Sequence, residues 1–537
     1  MLERGNSFEQ IRDRFRWDIP EYYNIGVDVC DRWADTYPDQ VAIIHDHGDY
    51  QEQFTYQQLR ARSNQLANLL TSLGVSRGDR VGILLPQNPY TAISHIAVYK
   101  LAAIVVPLFT LFGRDALQFR LADCAAKIVI TDAQGAHRLS EIFDQLPDLQ
   151  SVLCIEGTQC DAIDLAKEIE QHSEDYRAYN TRADDPALIV YTSGTTGNPK
   201  GALHAHRTLL GHLPGVEMSH DLFPHPGDKI WTPADWAWIG GLMDVLMPAL
   251  HHGVAVVSRR FKKFTGEAAF ALINKHAIRN AFLPPTALRM MRTVSKAQSH
   301  VAKPMRTIAS GGETLGAELL AWGREIFGLT INEFYGQTEC NMIVSSCGSL
   351  FPPVPGVMGL PAPGHDVQVI SATGEAVALG EIGSIAVRAP DPVMFLGYWN
   401  NAEKTQEKFI GEWMLTGDKG IAQKNGAIKF VARDDDVITS SGYRIGPGEI
   451  EDCLIGHPAV QMAAVIGKPD PMRTEIVKAF VKLNDNYKQS EQLIGELQQW
   501  VKVRLSAHEY PREIQFVESL PQTTTGKIIR RLLRESA

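Results

Sequence analysis

Short apolar runs alternate with helical patterns over about the first 430 residues, and this alternation restricts the fold more than any other feature. The run Val41–Ile44 precedes a helix whose start is written in the sequence: Thr55 supplies an N-cap and Gln58 completes a capping box. Leu59, Leu66, Leu69, Leu70 and Leu73 then share one face, and Gly74 stops the helix. The strand Val81–Leu85, a helix over Tyr90–Leu101, a further apolar run and the strand Lys127–Thr131 continue the series. Strands separated by helices cannot pair as tight hairpins. They pair in parallel, with the helices covering the sheet, so an α/β fold is expected.

The texture changes near Gly364. Val367–Ile370 and Ser384–Arg388, divided by turns containing Gly and Glu, read as strands of a smaller, partly antiparallel sheet or barrel spanning about 355–432. Arg433-Asp434-Asp435-Asp436 follows the strand Ala427–Val431 and reads as a surface linker, which places a boundary near Ala432–Asp436. The domains expected are therefore 1–432 and 433–537, the second with its own pattern and an amphipathic helix over Glu491–Leu505.

Composition narrows the function classes. Hydrophobic residues at 44% and charged residues at 21% exclude disordered and fibrous chains. The balance of 52 basic and 62 acidic residues, net −10, excludes the broad basic face of a nucleic-acid binder but leaves room for a small basic pocket. Seven cysteines without a CxxC pair fit free thiols in a reducing compartment. The N-terminus has no apolar signal region. The most apolar stretches are broken by Pro107, by Asp244 and by His251 with His252, short of the ~18 uninterrupted apolar residues of a membrane span. A cytoplasmic protein without a membrane span is expected.

The densest chemical signal is Tyr191-Thr192-Ser193-Gly194-Thr195-Thr196-Gly197-Asn198-Pro199-Lys200-Gly201, directly after the apolar run Ala187–Val190. Glycines let backbone N–H groups turn toward one point, hydroxyls add donors and Lys200 adds charge, a set suited to phosphate oxygens. The spacing is not that of a Walker A loop, because Gly197 stands three residues before Lys200 and Gly201 follows it. His204 and His206, read as two residues apart on a helix, point to different faces and suit packing or capping. His251-His252 reads as a favourable pair at a helix C-terminus.

This loop resembles the signature of the AMP-forming acyl-CoA synthetase superfamily, which includes luciferases and the adenylation domains of peptide synthetases. Further motifs follow in the family's order: Tyr335-Gly336-Gln337-Thr338-Glu339, Thr416-Gly417-Asp418, Arg433-Asp434-Asp435-Asp436 with Ser441-Gly442-Tyr443-Arg444, and Pro521-Gln522-Thr523-Thr524-Thr525-Gly526-Lys527. The resemblance is nearest to acetyl- and medium-chain acyl-CoA synthetases. It implies a large N-terminal domain of two helix-covered, mostly parallel sheets plus a barrel-like part, and a small mobile α+β C-terminal domain.

It also implies the chemistry. A carboxylate is activated by ATP to an acyl-adenylate, then transferred to coenzyme A. Lys527 resembles the lysine bridging the carboxylate and the α-phosphate. Glu339, preceded by Thr338, is the expected Mg²⁺ ligand, since Mg²⁺ takes hard oxygen donors. Thr192, Ser193, Gly194, Thr195, Thr196, Gly197 and Lys200 would hold phosphates; Asp418 the ribose hydroxyls; Arg433 and Arg444 the nucleotide. Gly312, Glu313, Thr314, Glu333, Phe334 and Tyr335 would wall the adenine site, with Tyr335 stacked on the base, and Gly336 and Gln337 would also bind the cofactor. Ser441, Gly442 and Tyr443 would line the coenzyme A tunnel once the domain turns about a hinge at Asp435. Ala432 departs from the glycine usual before the arginine.

Trp236, Trp238, Ile239 and Gly240 resemble the acyl-pocket segment of acetyl-CoA synthetases. Those enzymes close the pocket with a tryptophan where this chain has Gly336 and tend to carry a branched residue where it has Gly311. Two glycines imply room for a short-to-medium-chain acid, branched or cyclic, unless another bulky side chain fills the vacancy. Competing readings are a stand-alone enzyme loading a carrier-protein thiol, an aryl-acid CoA ligase and a non-catalytic nucleotide sensor. A homodimer, and an acyltransferase or deacylase acting on Lys527, complete the expected partners beside the carboxylic acid, ATP and coenzyme A.

Overall fold

A computed structural model describes residues 1–192, 199–295, 297–301, 305–313, 315–434, 436–440, 443–470, 473–505, 509–523 and 526–537. Among them, three sheets organise the chain. In the first, Val41–Asp46, Ala255–Ser258, Lys229–Trp231, Asn280–Phe282, Thr307–Gly311 and Ile331–Gln337 pair in parallel. In the second, Pro186–Thr192, Ile104–Pro107, Arg80–Leu84, Ile128–Thr131 and Ser151–Cys154 do the same. The main core lies between them: Ile43, Phe282 and Phe334 of the first sheet and Val81, Ile83 and Ile130 of the second share one cluster with the intervening helices. Each sheet carries a further apolar cluster on its other side.

Local signals set these elements as expected. Thr55 accepts from Gln58 N and closes the capping box, opening the helix Tyr56–Ser72, and Leu59, Leu66, Leu69 and Leu70 are buried. Gly74 follows at φ +85°, a torsion that glycine adopts without strain. The later antiparallel strands Val367–Ile370, Ile382–Arg388, Trp413–Ala422 and Ile428–Arg433 continue the first sheet through Val357–Pro361, which pairs with Cys340–Ser345 on one side and Ile428–Arg433 on the other. Beyond them Ile438–Ser440, Tyr443–Ile445, Val460–Asp470, Thr474–Leu483 and Glu513–Phe516 form a five-stranded sheet with its own core against the helices Pro447–Ile455 and Glu491–Arg504. No helix among the described residues is long and apolar enough to cross a membrane.

Two readings change. His204 lies on the strand Lys200–Ala205, not a helix, and both His204 and His206 are fully buried. Burial pushes each imidazole down to about 3, so they are neutral packing groups. The Arg433–Asp436 cluster is not uniformly solvated: Asp436 is buried and paired with Arg530 at 3.2 Å and Arg534 at 2.5 Å, tying this stretch to the C-terminal helix Arg530–Glu535. His251 and His252 do end a helix, Met247–His251 with His252 as its C-cap, and each also meets a carboxylate, Nδ1 of His251 2.6 Å from Asp28 and Nε2 of His252 3.1 Å from Glu217.

Candidate active site

Ligands of open α/β sheets bind beyond the carboxyl ends of parallel strands, where the backbone turns away and leaves a crevice. Here Thr307–Gly311 and Ile331–Gln337 end side by side, with Gly311 opposite Phe334 and Ser310 opposite Glu333. Gly312 follows at φ +93°. A Cβ built on it would lie 3.2 Å from the Trp238 ring and 3.9 Å from Cε of Lys527. The predicted lysine thus reaches, from the far end of the chain, the glycine turn at the sheet's edge.

Its position is set locally. Lys527 N donates to Oγ1 of Thr523 at 3.1 Å, and Thr523 N donates to the Lys527 carbonyl at 2.7 Å, closing a tight loop. Gly526 approaches Thr286 of the helix Pro285–Arg292 so nearly that a Cβ would be 3.1 Å from Oγ1. Thr286 also donates to Glu313, which Arg289 holds at 2.8 Å. The Lys527 side chain is exposed to water, yet surrounding protein desolvates its ammonium and pushes it below the usual lysine range, with Glu313 and Asp418 pulling the other way. Exposure and desolvation coexist where a group lines a concave cleft.

Asp418 and Arg433 face each other across Trp413–Ala422 and Ile428–Arg433. Tyr335 donates its hydroxyl to Asp418 at 2.6 Å, and burial raises the Asp418 carboxyl above the usual range. Glu333 is buried and pushed up to about 8, and its Oε1 accepts from Leu315 N. Gln337 donates to the Thr416 carbonyl at 3.0 Å and accepts from Lys408 at 3.3 Å. Thr192 and Lys200 are partners on adjoining strands of the second sheet. The structure therefore brings Thr192, Lys200, Gly312, Glu313, Glu333, Phe334, Tyr335, Gly336, Gln337, Thr338, Glu339, Asp418, Arg433 and Lys527 to the adjoining edges of two sheets. Ser193, Gly194, Thr195, Thr196, Gly197, Thr314, Asp435, Ser441 and Gly442 lie outside the described residues. Tyr443 and Arg444 are placed only by backbone, on Tyr443–Ile445.

Two residues without a sequence signal join the site. The Tyr398 hydroxyl donates to Oε1 of Glu339, and Nζ of Lys200 lies 4.6 Å over the Tyr398 ring. Lys408, desolvated and lowered, is drawn toward Glu339 and Asp418. Among the described residues no cluster of three or more His, Cys, Asp or Glu forms a metal cage. The donor set at Thr338 and Glu339, one hydroxyl and one carboxylate, fits an ion that takes its remaining ligands from phosphate oxygens.

The acyl segment needs a correction. The space expected at Gly311 is filled: a Cβ there would meet the Phe334 ring at 2.6–2.8 Å. That expected at Gly336 holds Asn341, whose Oδ1 would be 2.6 Å from the new Cβ, and Met342 N at 2.5 Å. Trp236 is fully buried in the core, while Trp238 remains partly open and its ring stands 5.7 Å from Phe282. Ile239 and Gly240 are buried behind it. At both glycines the place of a Cβ is taken by neighbouring residues.

Residues 30–399 match the family described as AMP-binding enzyme, and residues 449–527 match its C-terminal domain. The chain is 33% identical to an acetyl-coenzyme A synthetase of Bacillus subtilis (strain 168), covering 95% of this chain and 90% of that one. It is 32% identical to the mitochondrial acyl-coenzyme A synthetase ACSM3 of Mus musculus, covering 99% and 93%. The solved anthranilate CoA ligase AuaEII in complex with anthranoyl-AMP superposes with a TM-score of 0.88 at 29% identity, covering 97% and 98%. With both domains matched in order and the motif residues converging at one crevice, the chain belongs to the AMP-binding enzyme family as an AMP-forming acyl-CoA synthetase, a ligase that activates a carboxylic acid with ATP and joins it to coenzyme A.

Proposed function

We propose that this ligase takes a short-to-medium-chain acid whose carboxylate meets Lys527 and whose chain runs along Trp238 toward Gly240. The observation that carries this reading is that Lys527 and the Trp238 ring converge on Gly312, each within 4 Å of where its Cβ would stand. A carboxylate oxygen attacks the α-phosphorus of ATP, the bond to the β-phosphate oxygen breaks, and pyrophosphate leaves. The acyl-adenylate then meets the coenzyme A thiolate at its carbonyl carbon, and AMP departs with the acyl–oxygen bond pair.

Lys527 places a cation where phosphoryl charge builds, in a desolvated cleft that strengthens the interaction. Asp418 accepts from the ribose hydroxyls and Arg433 contacts the nucleotide. Tyr335 offers its ring to the base while its hydroxyl holds Asp418. Glu339 and Thr338 would hold Mg²⁺ arriving with ATP, which neutralises phosphate charge when bound. Residues 433–537 act as the moving part, with Asp435 as hinge; Asp436 stays anchored to Arg530 and Arg534, which keeps the turn from spreading into that domain.

Phe334 over Gly311 removes width on which a branched or cyclic acid would depend. The aryl-acid reading draws on the neighbour solved with anthranoyl-AMP. Acid-dependent exchange of pyrophosphate into ATP, run with straight-chain, branched and aromatic acids, separates the two: propionate through hexanoate should lead, and a lead by benzoate would overturn the aliphatic reading. Thioester formation with free coenzyme A, against a phosphopantetheinylated carrier protein, tests the acceptor.

A further inference from the structure

Beside Trp238 and Gly240, along the path proposed for the acyl chain, lies a carboxyl group that the adenylation chemistry does not use. Asp244 lies in the π-helical turn Leu242–Leu246, directly after the short helix Ile239–Gly241 that Trp238 opens. Its neighbours on that turn, Leu242, Met243, Val245 and Leu246, are all apolar and fully buried, and Asp244 itself is 3% exposed. Among the described residues its hydrogen-bond partner is Asn341, whose Nδ2 donates to Oδ1 at 2.7 Å. Burial raises the Asp244 carboxyl well above the usual range, with no cation acting against it. Apolar neighbours and a single amide donor favour the neutral form, in which Oδ1 takes the amide and Oδ2 is the oxygen left to carry the proton.

Oδ2 lies beside Gly240. It is 3.3 Å from where a Cβ of Gly240 would stand, a point also 3.2 Å from Cζ3 of Trp238 and 3.1 Å from Cε1 of Phe282. The same Trp238 ring and Lys527 both flank the Cβ position of Gly312, at 3.2 Å and, for Cε of the lysine, 3.9 Å. The path proposed for the acyl chain, from Lys527 along Trp238, therefore ends near this carboxyl. Asn341, which fills the space beside Gly336, is the residue that orients it. A carboxyl with one partner in an apolar wall is costly, and leucine would pack there without that cost.

We infer that Asp244 is a specificity-determining residue that donates a hydrogen bond to a hydroxyl or keto oxygen on the acyl chain, so that the preferred substrate is an oxygenated carboxylic acid. The inference rests on the ligase reading above and deepens it. Neutral Asp244 suits an uncharged oxygen better than an ammonium group, which would require the acid to ionise in a buried site.

The test is kcat/KM for pyrophosphate exchange over matched pairs, each a plain straight-chain acid and its hydroxy- or keto-substituted counterpart, with the oxygen placed at successive carbons. At one position the oxygenated acid should lead by about tenfold, the worth of one net hydrogen bond. Asp244→Leu should abolish or invert that ratio. Gly240→Ala, whose methyl group intrudes 3.3 Å from Oδ2, provides a second arm if Asp244→Leu fails to fold, and it should shrink the same ratio. A wild-type lead for the plain acid in every pair overturns the inference, as does a ratio that survives both substitutions. Exchange with no acid at all would instead sink the ligase reading, so the two failures are distinguishable.

Discussion

Phe334 and Gly311 occupy space that only one of them can fill with a side chain, and this makes a sharp prediction. A Cβ on Gly311 would stand 2.6 Å from Cε2 of Phe334 and 2.8 Å from Cδ2 and Cζ, inside any real carbon–carbon contact. Phe334 is 6% exposed, so its ring cannot swing into solvent without leaving a cavity. Full truncation to alanine would cost about 3–5 kcal/mol, a large share of a typical ~5–15 kcal/mol stability. Phe334→Leu keeps an apolar filling and is the better probe. It should free room for roughly one methylene, worth about 1–3 kcal/mol of discrimination, so kcat/KM for a branched or one-carbon-longer acid should rise about tenfold relative to the wild-type favourite.

The contact also predicts coupling. Gly311→Ala alone should destabilise the wild type and depress exchange, whereas in the Phe334→Leu background it should cost far less, an interaction of about 1–3 kcal/mol in a double-mutant cycle. Urea denaturation and pyrophosphate exchange on all four proteins measure it. An unchanged acid ranking in folded Phe334→Leu, together with additive effects, would refute the reasoning.

Tyr398→Phe removes the hydroxyl that holds Glu339 and should lower kcat about tenfold to a hundredfold, the scale of a bond to a charged group. It should also raise the Mg²⁺ concentration for half-maximal rate while leaving KM for the acid unchanged; a change in acid KM alone would contradict a positioning role. Asp452 lies on the helix Pro447–Ile455, its Oδ1 3.2 Å from where a Cβ of Gly316 would stand, and burial raises its carboxyl to about 7, offset by Arg289 and reinforced by Glu451, Glu318 and Glu449. Between pH 4 and 7 the folded state holds a proton that the unfolded chain has lost, so this group's contribution to stability falls as pH rises through that window. Asp452→Asn should therefore gain melting temperature relative to wild type from pH 4 to 7 and no more above it; a pH-independent difference would count against the assignment.

The sequence disclosed most of the frame because local signals and tertiary packing agree. The Thr55–Gln58 box, the leucine face behind it and Gly74 each mark one helix by a mechanism that acts within a few residues. The crevice was legible through its motifs, since glycine turns and lone charged residues keep their spacing whatever surrounds them. What remained hidden depends on contacts between distant segments. No spacing rule announces that Tyr398 reaches Glu339 or that Asn341 reaches Asp244, 59 and 97 residues apart. The glycines misled for the same reason: Gly311 and Gly336 read as empty walls until the neighbouring Phe334, and Asn341 from the paired strand, were seen to fill them. His204 was misassigned because its strand begins directly after the phosphate loop, where a helix was expected.

The most direct test of the account is Lys527→Ala assayed in both half-reactions. Acid-dependent pyrophosphate exchange should fall a hundredfold or more, about the loss seen when one preorganised charge-stabilising donor is removed. Thioester formation from supplied acyl-adenylate and coenzyme A should survive near the wild-type rate, because the role proposed for Lys527 is confined to the first step. Equal loss in both assays would contradict the placement of this lysine over Gly312 as the group that makes the adenylate.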